Sequence, residues 1–148
     1  YPWRPRGDAG GADYRDNIVS CVAPEEIYGF GDMVDTEPGA MIGPTKQGFG
    51  DLIDADPDAY WDSGNQCVSR GSGCVSFSPR IRPMPLFDPR EPPDPGAKPF
   101  TFTNFINVFI DRIAANEVHG HLMGLAGVVP GGGSGTTGPA VRYVRLIR

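Results

Sequence analysis

The clearest periodic stretch lies at 44–56. Phe49, Leu52 and Ile53 fall at i, i+3 and i+4, which puts them on one face of a helix. Pro44 suits the first helical position, where its missing N–H costs nothing, and Pro57 stops the helix near Asp56. Gly48 and Gly50 each weaken a helix by about 1 kcal/mol, so tertiary packing has to hold this one. Upstream, 13–22 (DYRDNIVSCV) fits a short helix or a strand equally well. Residues 75–87 alternate in part: Val75, Phe77 and Ile81, with Arg80 and Arg82 between. Pro79, Pro83 and Pro85 demote this stretch to an edge strand or extended segment. Phe100, Phe102 and 104–113 are rich in aromatic and β-branched residues, 114–117 can turn, and 118–125 can return. The pattern predicts a β-hairpin, with a helix over 103–114 as the alternative. The stretch 140–147 (AVRYVRLI) reads as a strand with apolar residues on both faces, which places it centrally in a sheet.

Between these elements lie segments with no period. Residues 1–12 (YPWRPRGDAGGA) read as an extended arm of coil. Residues 88–99 (DPREPPDPGAKP) form a Pro-rich loop, and 130–139 (PGGGSGTTGP) a flexible Gly-rich one. The expected fold is α+β: a small, mostly antiparallel sheet with one or two short helices, rich in loops. One domain spans 13–148, its core built from Phe49, Leu52, Ile53, Tyr60, Trp61, Phe105, Ile106, Phe109, Val144 and Leu146.

Composition narrows the function classes. Gly 21 and Pro 16 make up a quarter of the 148 residues, near the edge of low complexity, but 10% aromatics in apolar clusters argue for a folded core. The net charge is −5, with 13 basic residues against 18 acidic. Nucleic-acid binding needs a cationic footprint, which the chain lacks overall; the local exceptions are Arg4 and Arg6 at one end and Arg142, Arg145 and Arg148 at the other. The most apolar stretch, 105–113, is too short to cross a bilayer and carries Asn107, Asp111 and Arg112. No direct membrane span and no signal peptide is expected. The sequence begins at Tyr1 rather than Met, so it is expected to be a matured chain or an excerpt of a longer one.

Cys21, Cys67 and Cys74 are the cysteines. Cys67 and Cys74 flank a polar turn with two glycines, which suits a Cys67–Cys74 disulfide in an oxidising compartment. Free thiols and a zinc site are the alternatives; the six-residue spacing fits zinc poorly. Cys21 is then left over, as a thiol or paired elsewhere.

From 36 onward the sequence words become specific. Thr36-Glu37-Pro38-Gly39, Met41-Ile42-Gly43-Pro44-Thr45-Lys46-Gln47-Gly48, Asp51-Leu52-Ile53, Asp56-Pro57 and Tyr60-Trp61-Asp62 resemble bacterial TadE/TadG-like proteins of Flp (tight-adherence) pilus assembly. Ser78-Pro79-Arg80-Ile81 before Pro85-Leu86-Phe87-Asp88-Pro89 is similar too. So are Asn104-Phe105-Ile106 through Phe109-Ile110 to Asn116-Glu117-Val118 and Gly120, and the stretch 140–147. The resemblance covers most of 13–147 in order and rests on ordered words, not on a catalytic signature. It implies an N-terminal membrane helix followed by an extracytoplasmic region, of which this chain would be the end without its anchor. The implied role is non-enzymatic: a structural or accessory protein at the periplasm, cell surface or outside, acting through contacts with other protein subunits. A self-assembling filament subunit or an accessory subunit of a membrane complex is the alternative. Tyr1 and Trp3 in the arm, and the sheet edges, are the candidate partner contacts.

Two clusters are candidates for chemistry. Asp54, Asp56, Asp58 and Asp62 stand at positions 1, 3, 5 and 9 of a calcium-loop pattern, with Asp51 nearby. Ala59 replaces the loop glycine and Asn65 the bidentate carboxylate, so only an irregular Ca²⁺ site fits. The alternative is a solvated acidic helix end with aspartates capping a turn. His119 and His121 form His-x-His, which on a strand puts both rings on one face but supplies no third ligand. Neither Pro130–Pro139 nor Gly71-Ser72-Gly73 completes a phosphate-loop or nucleophile-elbow pattern. No cofactor is expected beyond that Ca²⁺ candidate.

Overall fold

A computed structural model of the protein describes residues 3–4, 10–20, 31–37, 39–91, 99–124 and 144–145. In chain order the elements are β1 (Trp3–Arg4), α1 (Gly11–Val19), β2 (Met33–Thr36), α2 (Ile42–Asp54), β3 (Ala59–Asp62) and β4 (Cys67–Arg70), followed by β5 (Ile81–Phe87), β6 (Phe100–Ala114), β7 (Glu117–Gly124) and β8 (Val144–Arg145). The class is α+β, and every strand pair among the described residues is antiparallel.

β6 is the spine. The run of aromatic and β-branched residues that suggested a hairpin makes a 15-residue strand, and the helical alternative is not taken. It pairs with β5 from Phe87↔Phe102 to Ile81↔Phe109, and with β7 from Asn107↔Gly124 to Ala114↔Glu117. At 107–109 it is therefore paired on both edges. A two-residue turn, Ala115–Asn116, joins β6 to β7, with Ala115 at φ +53° as such tight hairpin turns require. Gly120 on β7 allows a close approach: a Cβ there would lie 2.6 Å from the Phe109 carbonyl oxygen. β2 extends the other end of β6. The Phe102 N–H donates to the Asp32 carbonyl and the Phe102 carbonyl accepts from the Gly31 N–H, both at 2.9 Å.

α2 begins at Ile42 rather than Pro44, yet the proline still falls in the first turn, where an N–H has no helical acceptor. The first i→i−4 bond runs from the Thr45 N–H to the Met41 carbonyl at 2.9 Å. Phe49 and Leu52 sink into a cluster with Val108, Ile110 and Val118, and Ile53 and Ile106 pack around it. Of the ambiguous stretch 13–22, residues 13–19 belong to the helix α1, which starts already at Gly11 and ends at Val19; 21–22 lie outside the described residues. Gly48 serves its contact with α2: a Cβ there would lie 2.9 Å from Ile18 Cβ. The glycine that weakens α2 is what lets α1 lie against it. Arg15 binds Asp51 across the pair at 2.7 Å, and Thr45 Oγ1 donates to the Tyr14 hydroxyl at 3.2 Å.

A second cluster joins Val34, Phe100 and Phe102 to Phe87 and Phe105, with edge-on ring pairs at 5.2 Å for Phe100–Phe102 and Phe102–Phe105. The third surrounds Ala59, Val68 and Phe109 and carries Trp61, Val75, Ile81 and Met123.

Three expectations need correction. Tyr60 is 46% exposed rather than core, because β3 turns Ala59 inward and Tyr60 outward. β8 ends the strand order among the described residues instead of lying centrally, since β6 already holds the centre. The arm is not coil throughout: Trp3 and Arg4 pair with Thr36 and Asp35 of β2. Tyr1, the side chains of Trp3 and Val144, Cys21, Leu146, the Gly-rich loop 130–139 and residues 92–98 of the Pro-rich loop lie outside the described residues.

Candidate functional site

The chemistry concentrates in the segment 56–80, which folds over the middle of β6. β3 and β4 form their own two-stranded sheet from Ala59↔Arg70 to Asp62↔Cys67. The turn between them is capped by Asp62, whose carboxylate accepts from the Gly64 N–H at 2.8 Å, the Asn65 N–H at 3.1 Å and Asn65 Nδ2 at 2.7 Å. These bonds hold the Asp62 carboxyl below its ordinary value, the Asn65 side chain contributing most. Cys67 and Cys74 are joined, with Cα atoms 5.8 Å apart. This closes the loop over Gly71-Ser72-Gly73, where Gly71 takes φ +72°. The Tyr60 hydroxyl donates to the Gly71 carbonyl at 3.2 Å.

The free-thiol and zinc alternatives for Cys67 and Cys74 are thus not taken. Reduction, or the pair Cys67→Ser and Cys74→Ser, is expected to lower stability by about 2–3 kcal/mol on the chain-entropy model for so short a loop. Urea unfolding with and without dithiothreitol measures it; coincident curves would contradict a closed loop.

Below this loop lies a buried polar node. Asp56 accepts from Ser78 Oγ at 2.6 Å and from Arg70 Nη2. Arg80, 3% exposed, spreads its guanidinium over four backbone carbonyls. Nε donates to Ile110 at 2.8 Å, Nη1 to Ala59 at 2.6 Å and Asp56 at 3.1 Å, and Nη2 to Asp111 at 2.6 Å. Its Cζ sits 4.7 Å from the Phe109 ring centroid. Burial pulls the Arg80 guanidinium down from its ordinary value, with the charges of Asp111 and Asp56 opposing. The node ties the β3–β4 sheet to β6.

The four aspartates expected to gather around Ca²⁺ are not brought together. Asp56 turns inward to Arg70 and Ser78, Asp62 is used up by its turn, and Asp54 and Asp58 point to solvent. Asp51 is engaged by Arg15. His119 and His121 have different neighbours. His119 Nε2 lies 3.7 Å from Glu117 Oε2, while the His121 ring stacks on Trp61 at 4.8 Å with planes 6° apart. Among the described residues no group of three or more His, Cys, Asp or Glu is placed to hold a metal ion.

Two features escaped the sequence reading. Arg80 looked like the polar half of an alternation. Glu37 follows β2 and is 4% exposed, and among the described residues neither carboxylate oxygen has a hydrogen-bond partner. Such burial costs stability, and it marks a position where local chemistry and fold disagree. No spacing rule would have singled it out.

The strongest outward feature is Phe77, 77% exposed. It is held from both sides. The Val75 N–H donates to the Val68 carbonyl at 2.8 Å and the Val75 side chain packs on the third cluster; Ser78 is fixed to Asp56. No family model, curated protein or solved structure matches the chain.

Proposed function

We propose that the chain is an extracytoplasmic structural or accessory domain, of the TadE/TadG-like class its sequence words resemble, and that it works by protein–protein contact rather than catalysis. The observation that carries this reading is the ring of Phe77, presented to solvent from a segment anchored on both flanks. A large aromatic side chain held out in this way loses little entropy on docking and is the kind of anchor that fills a partner's pocket. The Cys67–Cys74 disulfide supports an oxidising compartment. Among the described residues no helix is long and apolar enough to cross a membrane.

Native mass spectrometry of the protein purified from its source, with and without EDTA, tests the reading. The expected result is a complex with other subunits or with further copies that does not depend on metal. Phe77→Ala should weaken it by about 2 kcal/mol or more, roughly 30-fold in the dissociation constant. A monomer holding a metal ion, or a complex untouched by Phe77→Ala, would overturn it.

A further inference from the structure

The β5 edge of the sheet carries an inference about which surface such contacts avoid. β5 pairs with β6 alone among the described strands. Its register pairs Ile81 with Phe109, Arg82 with Val108, Pro83 with Asn107, Met84 with Ile106 and Pro85 with Phe105. One step further the Ile110 N–H donates to the Arg80 carbonyl at 2.9 Å. In an antiparallel ladder, hydrogen-bonded and non-hydrogen-bonded pairs alternate. The bonded pairs are therefore those of Arg80, Arg82 and Met84. Ile81, Pro83 and Pro85 direct their backbone groups away from β6, toward the edge that no described strand pairs with.

Both prolines thus stand where a missing N–H costs the sheet nothing and costs an incoming strand its donors. The only other residue facing that way in this span, Ile81, already gives its N–H to the Ser78 carbonyl at 3.0 Å. From Ile81 to Pro85 the edge offers carbonyls and no N–H. A second β5, laid antiparallel about a two-fold axis centred on Pro83, would set acceptors against acceptors along that span.

We propose that Pro83 and Pro85 close the β5 edge against strand pairing, so that a second copy of this chain is kept from joining β5 to β5 and the sheet is not extended there by a partner strand. This removes one of the sheet edges from the candidate contacts. It does not depend on the role of Phe77, and either proposal survives the failure of the other.

The test is the double variant Pro83→Thr with Pro85→Thr, which supplies outward N–H groups without touching any bond to β6. Each single variant serves as a milder second case. Mass is followed by light scattering over a concentration series, and amide hydrogen exchange is read at positions 83 and 85. The expected result is a concentration-dependent step to twice the wild-type mass, with the new amides protected in the larger species and exchanging freely in the smaller. Two outcomes would overturn the proposal. One is a double variant that keeps the wild-type mass at every concentration with freely exchanging amides, since the prolines then hold nothing back. The other is protection of those amides at the wild-type mass, since the edge is then covered by the chain itself.

Discussion

Arg80→Lys is expected to destabilise the fold by about 3–5 kcal/mol, although it preserves the charge. A guanidinium reaches four carbonyls at once because its donors lie in one planar fork; an ammonium has three donors on a single atom and cannot span Ile110, Asp111, Asp56 and Ala59. At least one buried carbonyl is left without a partner, at about 1–3 kcal/mol each. The contact with the Phe109 face is weakened as well. Arg80→Met should do no better, since it removes the buried charge but takes the guanidinium donors from all four carbonyls; that of Asp56 keeps a backbone partner, the Ala59 N–H at 3.3 Å. The loss is a large share of the about 5–15 kcal/mol that holds a typical domain together. Urea unfolding reads the size. Hydrogen exchange at Ile110 reads the place, because its N–H bonds the Arg80 carbonyl. A change under 1 kcal/mol for both variants would show that the carbonyls find other donors and that Arg80 is not the tie between β3–β4 and β6.

Why Arg80 was illegible while α2 was plain is a matter of what each signal depends on. The face formed by Phe49, Leu52 and Ile53 is a property of spacing alone, and in the structure it lands on β6. The hairpin is equally local, since a β-rich run with a turn at 115–116 has one easy way to pair. The stretch 75–87 differs because its parity breaks. A turn through Pro79 and Arg80, closed by the Ile81 N–H on the Ser78 carbonyl at 3.0 Å, intervenes, and the strand begins only at Ile81. The alternation of Val75 and Phe77 therefore cannot be carried across to Ile81. Phe77 comes out exposed and Arg80 buried, the reverse of the polarity a continuous strand would give. The prolines, in contrast, are legible as marks of an edge strand, because a missing N–H constrains position whatever the neighbours do. The aspartates misled for a related reason. Spacing suited to a cation is also spacing suited to a turn, and the arginine that claims Asp56 is 14 residues away.

Asp56→Asn is expected to weaken the fold at neutral pH by about 2–4 kcal/mol, at the low side of a broken buried ion pair because Arg70 is partly solvated. It should also flatten the acid limb of the stability profile. Burial pushes the Asp56 carboxyl up, but the hydrogen bonds from Arg70 and Ser78 and the charges of Arg70 and Arg80 outweigh it and hold the group below its ordinary value. The folded chain then takes up this proton less readily than the unfolded chain, so acid favours unfolding. The contribution is whole above the unfolded carboxylate value, about 4, and is lost as pH falls through the lower folded one. His121 acts in an earlier window. Burial lowers its pKa, Arg112 adds to this and Asp111 opposes. Stability from the neutral ring is whole above about pH 6.5 and drains as pH falls through the depressed folded value. The wild-type profile should therefore decline in two stages. His121→Phe, which keeps a ring against Trp61, should remove the upper stage and leave the lower, and Asp56→Asn should leave the upper stage and shrink the lower, to which the Asp62 carboxyl, also held below its ordinary value, still contributes. Urea midpoints taken from pH 7.5 down to 3 separate the two. Parallel profiles for Asp56→Asn and wild type below pH 4.5 would mean that the carboxylate beneath Arg70 is not the group whose protonation unlocks the node.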